Sequence, residues 1–310
     1  MKRALAAGCV GALITAVAAT GCTVGVSGPA GPTASERAEV AGGQGRRLTD
    51  DERILLQRAE AVLVKKCMER HGFKYWVGPL PTADELKGGG YVLTDVGWAK
   101  RHGYGSRLQE RLKDAQHRDP NHAYADSLPE KERIRYGKAL EGGPSAGMLT
   151  AELPGGGTVR TPRESCQTDA KERLYGDFDR WFKAEKTATN LTSVYVTDLL
   201  RDRRFVGAVE KWAACMRDAG HAYADPPAVR EALPRLTEGL DADRAFATEV
   251  RLAVAEATCA TETPLAETAR ALDGEYREKR LTEYADDIAA YERMSLAALA
   301  RAEDVTGSTT

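Results

Sequence analysis

Four cysteines stand in two kinds of local sequence, and disulfide formation is the chemistry that their positions favour. Cys67 and Cys215 each begin the pattern C-M-x-x-x-G-x-x-Y, whereas Cys166 and Cys259 lie in the similar stretches SCQTD and TCATE. Four cysteines allow three pairings, and spacing alone does not choose among them. Because the two contexts alternate along the chain, the simplest prediction is a duplicated unit with one disulfide in each half, Cys67–Cys166 and Cys215–Cys259.

Two other arrangements of reactive side chains point to chemistry only weakly. Cys67 and His71 are four residues apart on a helix and have the ligand types that zinc prefers. Ala219 replaces the histidine in the second copy, so we predict no metal site. Ser145 lies in a G-x-S-x-G pattern, but a nucleophile elbow needs a strand before the serine and a helix after it. Here a predicted helix ends before Ser145 and a hairpin follows, so we predict neither a catalytic residue nor a cofactor.

The loops that follow the two Cys-Met segments contain the candidate ligand-binding residues. Tyr75 and Trp76 offer flat apolar surfaces with polar tips after the first segment, and His221, Tyr223 and Asp225 offer hydrogen-bonding groups after the second. This mixture suits recognition of a peptide or a sugar if the two loops face one groove. The alternative is that both tyrosines fill the ends of their own helical units.

The N-terminus has the pattern of an export signal. Lys2 and Arg3 precede an uncharged apolar run over residues 4–19. The run has the length of a secretory signal and is short for a membrane span of ~20 residues. It ends in the letters ATGC, which resemble the bacterial lipobox, where the peptide before the cysteine is removed and the cysteine, here Cys22, is diacylated.

The sequence therefore predicts a lipoprotein signal peptide over residues 1–21 and an acylated, palmitate-bearing Cys22. This cysteine heads a flexible linker over residues 22–47, which is rich in Gly, Pro, Ser and Ala. We expect the protein to be held by lipid on the extracytoplasmic face of the cell membrane. Ala19 stands where the lipobox usually has leucine, which leaves open cleavage elsewhere or an uncleaved anchor.

Composition limits the class of protein. The chain has 310 residues, 42% of them hydrophobic and 29% charged, which is typical of a globular protein. It contains 44 Lys and Arg residues and 46 Asp and Glu residues, so it has no excess of basic residues. A nucleic-acid-binding protein usually has a basic excess, so we expect no nucleic-acid partner.

The elements that position the cysteines are mainly helical. Thr49 and Glu52 form a capping box before the first helix, and a Pro-Gly-Gly-Gly stretch between short apolar runs predicts one β-hairpin. The predicted fold is mainly α, with one or more helical bundles, a small β-hairpin and two disulfide-bearing halves, 48–188 and 189–310. The long helices predicted after Pro162 cover 163–188, 192–219, 241–261 and 264–302.

The exported N-terminus, the two Cys-Met helix ends and the stretches YVLTD, HGYG and PRESC together resemble a family of uncharacterised actinobacterial secreted lipoproteins with paired Cys-Met helix motifs. The resemblance covers most of residues 50–262. It implies localisation and paired cysteines, and it implies no activity. We expect a non-catalytic binding or scaffolding role at the cell envelope, with an envelope peptide, glycan or protein as partner. The alternative is an envelope hydrolase whose site is formed by the loops after Cys67 and Cys215.

Overall fold

The computed structural model describes residues 45–307. The predicted signal peptide, Cys22 and linker residues 23–44 lie outside this range, as do residues 308–310. From Gly45 onward the chain forms one unit. It is mainly helical with one two-stranded antiparallel sheet, so the predicted fold class is confirmed. Within the described range, no helix has both the length and the apolar character needed to cross a membrane.

The regular elements follow one another closely. In chain order they are α1 (Asp50–Arg70), α2 (Val96–His102), α3 (Ser106–His117), α4 (Pro120–Ser127), α5 (Glu130–Glu141), β1 (Met148–Glu152), β2 (Thr158–Pro162), α6 (Cys166–Tyr175), α7 (Phe178–Ala188), α8 (Thr192–Arg201), α9 (Arg203–Asp218), α10 (Pro226–Thr237), α11 (Ala242–Glu262), α12 (Leu265–Arg280) and α13 (Ala285–Gly307). Short 3-10 turns lie before α2, before β1 and between α12 and α13.

Helix α1 begins at the capping box that the sequence predicts. The hydroxyl oxygen of Thr49 accepts the backbone N–H of Glu52 at 3.2 Å, and the Glu52 carboxylate accepts the Thr49 N–H at 2.8 Å. Two N–H groups that a helix start leaves free are thereby satisfied, which is typically worth ~1 kcal/mol. The buried face of α1 continues to Cys67 in the last turn, and this fixes the position of the first cysteine.

The predicted hairpin is present as β1 and β2. Leu149 pairs with Thr161, and the strands are joined by a turn over residues 153–157 in which the Gly156 N–H donates to the Leu153 carbonyl at 2.8 Å. Leu149 and Ala151 alternate with exposed neighbours and are buried, as expected for a strand with one face against a core. The hairpin packs against α7.

The helices enclose two main hydrophobic cores. The first core lies between α1, α5, the hairpin, α6, α7 and α13. In it, Tyr175 stacks on Trp181 with ring centroids 4.2 Å apart. The second core lies between α8, α9, α10, α11 and α12, and Trp212 is completely buried there.

Each core draws residues from both of the predicted units. Helix α13, at the C-terminal end, packs against α1 and α7, and its Ala298 and Ala302 are buried in the first core. Conversely, Val92 lies in the second core, and α2 packs against α11. The two disulfide-bearing halves are thus held together by exchanged segments.

Three of the four long helices that the sequence predicts are interrupted. Gly176 adopts a left-handed φ of 85° and Asp177 caps the helix that follows it, while Asp202 caps α9. The prediction of one helix over 264–302 is wrong, because α12 packs on the second core and α13 on the first. Leu281 is buried in the second core at this break. The remaining prediction, 241–261, agrees closely with α11.

Candidate functional site

Both disulfides have the pairing that the sequence predicts. The first disulfide joins Cys67, in the last turn of α1, to Cys166, the first residue of α6, with a Cα–Cα distance of 5.5 Å. The second disulfide joins Cys215 of α9 to Cys259 of α11, with a Cα–Cα distance of 5.7 Å. Each bond fastens two helices of one core to each other.

The two Cys-Met segments end their helices in the same way. Gly72 and Gly220 have φ values of 84° and 85°, which favour glycine. The residue after each glycine donates its backbone N–H to the carbonyl oxygen of the motif methionine, at 3.0 Å in the first segment and 2.7 Å in the second. The glycine of the pattern therefore lies one residue beyond the C-cap and ends the helix in the left-handed conformation.

The zinc alternative concerns a group beside the first disulfide. The ligand atoms of Cys67, His71 and Cys166 lie within 4.8 Å of one another. Zinc binds cysteine as thiolate, and the two sulfurs are bonded to each other instead. In the disulfide form, only the exposed imidazole of His71 has a free ligand atom.

The first candidate loop is fastened to α4. The Trp76 backbone N–H donates to the Asn121 side-chain oxygen, and the Asn121 amide donates to the Trp76 carbonyl, both at 2.9 Å. The Trp76 side chain is 39% exposed and meets Tyr124 edge to face, with ring centroids 5.7 Å apart. Tyr75 is half-buried against the first core, and this burial raises the pKa of its hydroxyl.

The second candidate loop lies at the second core. Its three named side chains are all partly buried, and Tyr223 packs against the second core. The Asp225 carboxylate accepts the backbone N–H of Ala228 at 2.8 Å and so caps α10. Tyr75 contacts the first core and Tyr223 contacts the second. Of the two loops, only the first reaches the cavity described below, through Phe73. The shared groove stays a prediction.

A cavity lies beside the first disulfide, and we call it the disulfide cavity. It has a volume of about 580 Å³ and lies between the end of α1, α5 and the start of α6. Gly142 forms part of its wall with a φ of 81°, and a Cβ atom there would lie 2.5 Å from the Glu164 carbonyl oxygen. The charged lining residues are Arg70, Arg135, Lys138, Arg163, Glu164, Asp169 and Glu172.

Some of these charges are already paired and others are not. Arg70 lies 2.9 Å from Asp169, and Arg163 lies 2.6 Å from Asp179. Within residues 45–307, the Lys138 ammonium has no ion-pair or hydrogen-bond partner. The cavity therefore offers both signs of charge in one concave surface.

Sequence reasoning missed the basic side of this cavity. Arg135 and Lys138 lie in a mixed-charge helix, and such a pattern is typical of a solvated face. Their three-residue spacing does place them on one side of α5, which is the signal that was available. The chain matches no family model, no curated protein and no solved structure.

Proposed function

We propose that this protein is a lipid-anchored, extracytoplasmic binding protein that holds a short peptide with charges of both signs in the disulfide cavity. The observation that carries the proposal is the mixed-charge lining of a cavity of about 580 Å³. A volume of this size falls within the ~300–1,000 Å³ typical of small-ligand sites. A peptide carrying both a carboxylate and an ammonium group complements this lining better than a ligand with one sign of charge.

The first disulfide supports a binding role because it fixes the cavity. Cys67 lies in its wall and is joined to the first residue of α6, and Asp169 lies in the first turn of that helix. Sites whose walls are held in place lose less conformational entropy on binding. The hydrolase alternative, with a site formed by the loops after Cys67 and Cys215, has less support because Tyr75 packs against the first core and Tyr223 against the second.

The binding role is tested by two blocked tripeptides, Asp-Ala-Lys and its uncharged counterpart Asn-Ala-Gln, in calorimetric titrations. We expect the charged peptide to bind and the uncharged one to bind at least ~10-fold more weakly at low salt. Lys138→Ala should weaken binding of the charged peptide roughly 2-fold to 5-fold, as for a partly exposed ion pair. The matched control is Lys131→Ala, on the same helix but outside the cavity lining.

Equal binding of the two peptides, or equal effects of the two lysine substitutions, would contradict the proposal that the cavity selects its ligand by charge. The role of the first disulfide is checked in the same titration after mild reduction, which should weaken binding.

Lipid anchoring is the second part of the proposal. Cys22 and the residues before it lie outside the described range, so the support is the sequence pattern together with the two disulfides, which are typical of exported proteins. Loss of Lys2 and Arg3 with the signal peptide would take the formal net charge from −2 to −4. A chain of that charge has no electrostatic attraction to an anionic membrane, so lipid would supply the tether.

Anchoring is tested by fractionation of cells that express Cys22→Ala. We expect this variant to leave the membrane fraction or to accumulate as the unprocessed precursor, whereas Cys9→Ala should fractionate like wild type. If Cys22→Ala fractionates and migrates like wild type, the lipid hypothesis is wrong.

A further inference from the structure

The first disulfide and the imidazole of His71 form a compact group of metal-ligand types. The ligand atoms of Cys67, His71 and Cys166 lie within 4.8 Å of one another. Cys67 and His71 are four positions apart at the end of α1, so their side chains lie on one side of that helix. The disulfide brings Cys166, the first residue of α6, to the same place. Two cysteines and one histidine are ligands typical of zinc.

Cleavage of the bond between the two sulfurs would turn this group into a set of zinc ligands. A tetrahedral zinc ion with Zn–S bonds of ~2.3 Å holds two thiolates ~3.8 Å apart. The sulfurs can reach this separation by rotation about their own Cα–Cβ bonds, because the Cα atoms of Cys67 and Cys166 are already 5.5 Å apart. The disulfide cavity, which Cys67 lines, gives the displaced sulfur the space to turn. The His71 side chain is exposed and lines the same cavity.

The disulfide cavity also gives a reductant access to the disulfide. Cys67 lines the cavity and is 4% exposed, whereas Cys166 is 1% exposed, so the Cys67 sulfur is the one attacked. A thiolate of a dithiol reductant bonds to this sulfur while the S–S bond breaks, and Cys166 leaves as a thiolate at the positive end of α6. The second thiol of the reductant then releases Cys67. The reductant becomes a disulfide, and the protein gains two electrons and two protons.

The charges around the group cancel, so the surroundings do not repel a cation. The charged residues that line the cavity, together with their ion-pair partners outside it, are five cations and five carboxylates. The cations are Arg70, Arg135, Lys138, Arg163 and Arg173, and the carboxylates are Glu132, Glu164, Asp169, Glu172 and Asp179. Two thiolates neutralise one Zn²⁺ ion, and a neutral imidazole adds no charge. The occupied site would therefore leave no net charge in a largely buried place, where an unpaired charge is costly.

We infer that Cys67, Cys166 and His71 bind one Zn²⁺ ion once a dithiol reductant has opened the first disulfide, with a water molecule from the disulfide cavity as the fourth ligand. Zinc uptake releases the two thiol protons to solvent. Ala219 stands at the place of His71 in the second copy, so the second cysteine pair lacks the nitrogen ligand. The inference does not depend on the proposed peptide binding, because it uses only the three ligand atoms of the reduced protein.

The test is a zinc titration of the full-length protein in competition with a coloured chelator, before and after reduction. The reductant is a phosphine, because an excess of dithiol would itself compete for zinc. We expect the reduced protein to bind one Zn²⁺ ion at this site. The disulfide form should bind zinc at least ~100-fold more weakly, because only the His71 imidazole remains as a ligand.

Two histidine substitutions make the test specific to this site. His71→Ala should weaken zinc binding by the reduced protein at least ~10-fold, because it removes one of three protein ligands. His117→Ala is the matched control, since His117 is exposed in the last turn of α3, and it should have no effect. If reduction unfolds the chain, thermal melts replace the titration. Zinc should then restore a folding transition in the wild type and in His117→Ala but not in His71→Ala, because a metal bound only by the folded chain stabilises it.

The inference is overturned if the reduced protein binds zinc no more tightly than the disulfide form does. It is also overturned if His71→Ala binds zinc as tightly as His117→Ala, since the thiols alone would then account for the binding. In the melts, the same conclusion follows if zinc has no effect on the reduced wild type or restores His71→Ala equally well.

Discussion

The most informative perturbation of the fold is Glu256→Gln, because this carboxylate joins an exchanged segment to the second core. Glu256 has no solvent exposure. It accepts hydrogen bonds from the Leu93 backbone N–H at 2.9 Å, from the Tyr104 hydroxyl at 2.8 Å and from the Arg230 guanidinium at 2.6 Å. Glutamine has nearly the same volume, so the substitution removes the charge without creating a cavity.

The expected loss follows from the surroundings of the ion pair. Breaking a fully buried pair by removing one partner typically costs ~3–5 kcal/mol. The Arg230 side chain is 31% exposed, so water can solvate its charge once Glu256 is neutral. Burial also raises the pKa of Glu256, which means that the wild-type carboxylate already bears a desolvation cost. We therefore expect the free energy of unfolding to fall by about 2–3 kcal/mol, below the range for a dry pair.

Urea denaturation at neutral pH measures this loss, and hydrogen exchange at Leu93 locates it. The Leu93 amide should exchange faster in Glu256→Gln because its acceptor is weakened. The control is Glu262→Gln, which is exposed in the last turn of the same helix and should change stability by less than ~0.5 kcal/mol. The reasoning is refuted if Glu256→Gln loses under 1 kcal/mol, or if Leu93 keeps its wild-type protection.

Three further predictions concern the first core and the disulfides. Burial raises the pKa of Glu60, so the folded state holds its proton more tightly than the unfolded state. The free energy of unfolding should fall as pH rises from the ordinary glutamate range through the raised value. This dependence on pH should be absent in Glu60→Gln. If calorimetry gives the same pH dependence of the free energy of unfolding for both proteins, the prediction is wrong. The first disulfide closes a loop of 99 positions, and its removal should lower the free energy of unfolding in urea by ~4.7 kcal/mol. The second closes a loop of 44 positions, and its removal should lower this free energy by ~4.0 kcal/mol. The opposite order would show that loop entropy does not control the loss. Gly142→Ala should destabilise by ~2 kcal/mol, because it strains a left-handed residue and crowds a carbonyl. Gly137→Ala, in the open middle of α5, should stabilise by up to ~1 kcal/mol in the same melts, so equal effects would refute the strain argument.

Features that depend on neighbouring residues could be predicted from the sequence. The capping box at Thr49, the glycine turn of the hairpin and the helix end at Gly72 each depend on residues within about five positions of one another. The disulfide pairing could also be predicted, because the two kinds of local sequence around the cysteines alternate along the chain, whereas spacing alone does not distinguish the three pairings. The helix breaks at Asp177 and Asp202 also carried a local signal, since aspartate is a preferred N-cap, but the apolar period continued across them and favoured longer helices.

The polar interior could not be predicted, because its partners are distant in sequence. Glu60 and Tyr175 are 115 positions apart, and Glu256 and Leu93 are 163 apart. Nothing local distinguishes a glutamate that faces a core from one that faces water when both lie in mixed-charge helices.

The repeated cysteine contexts have a narrower meaning than a duplicated unit. Cys67 and Cys215 occupy the same place, near the end of a helix that a left-handed glycine terminates. Their partners do not, because Cys166 is the first residue of α6 whereas Cys259 lies in the last turn of α11. Ser165 caps α6 by accepting the Thr168 N–H at 3.0 Å. The equivalent residue beside Cys259, Thr258, lies near the C-terminal end of α11 and cannot be an N-cap. The first disulfide is therefore attached to the N-terminal end of α6, whereas the second is attached to the C-terminal end of α11. The repeated element is a helix terminus with a buried methionine and a disulfide-bonded cysteine, which is buried at Cys67 and partly buried at Cys215, and two different packings use it.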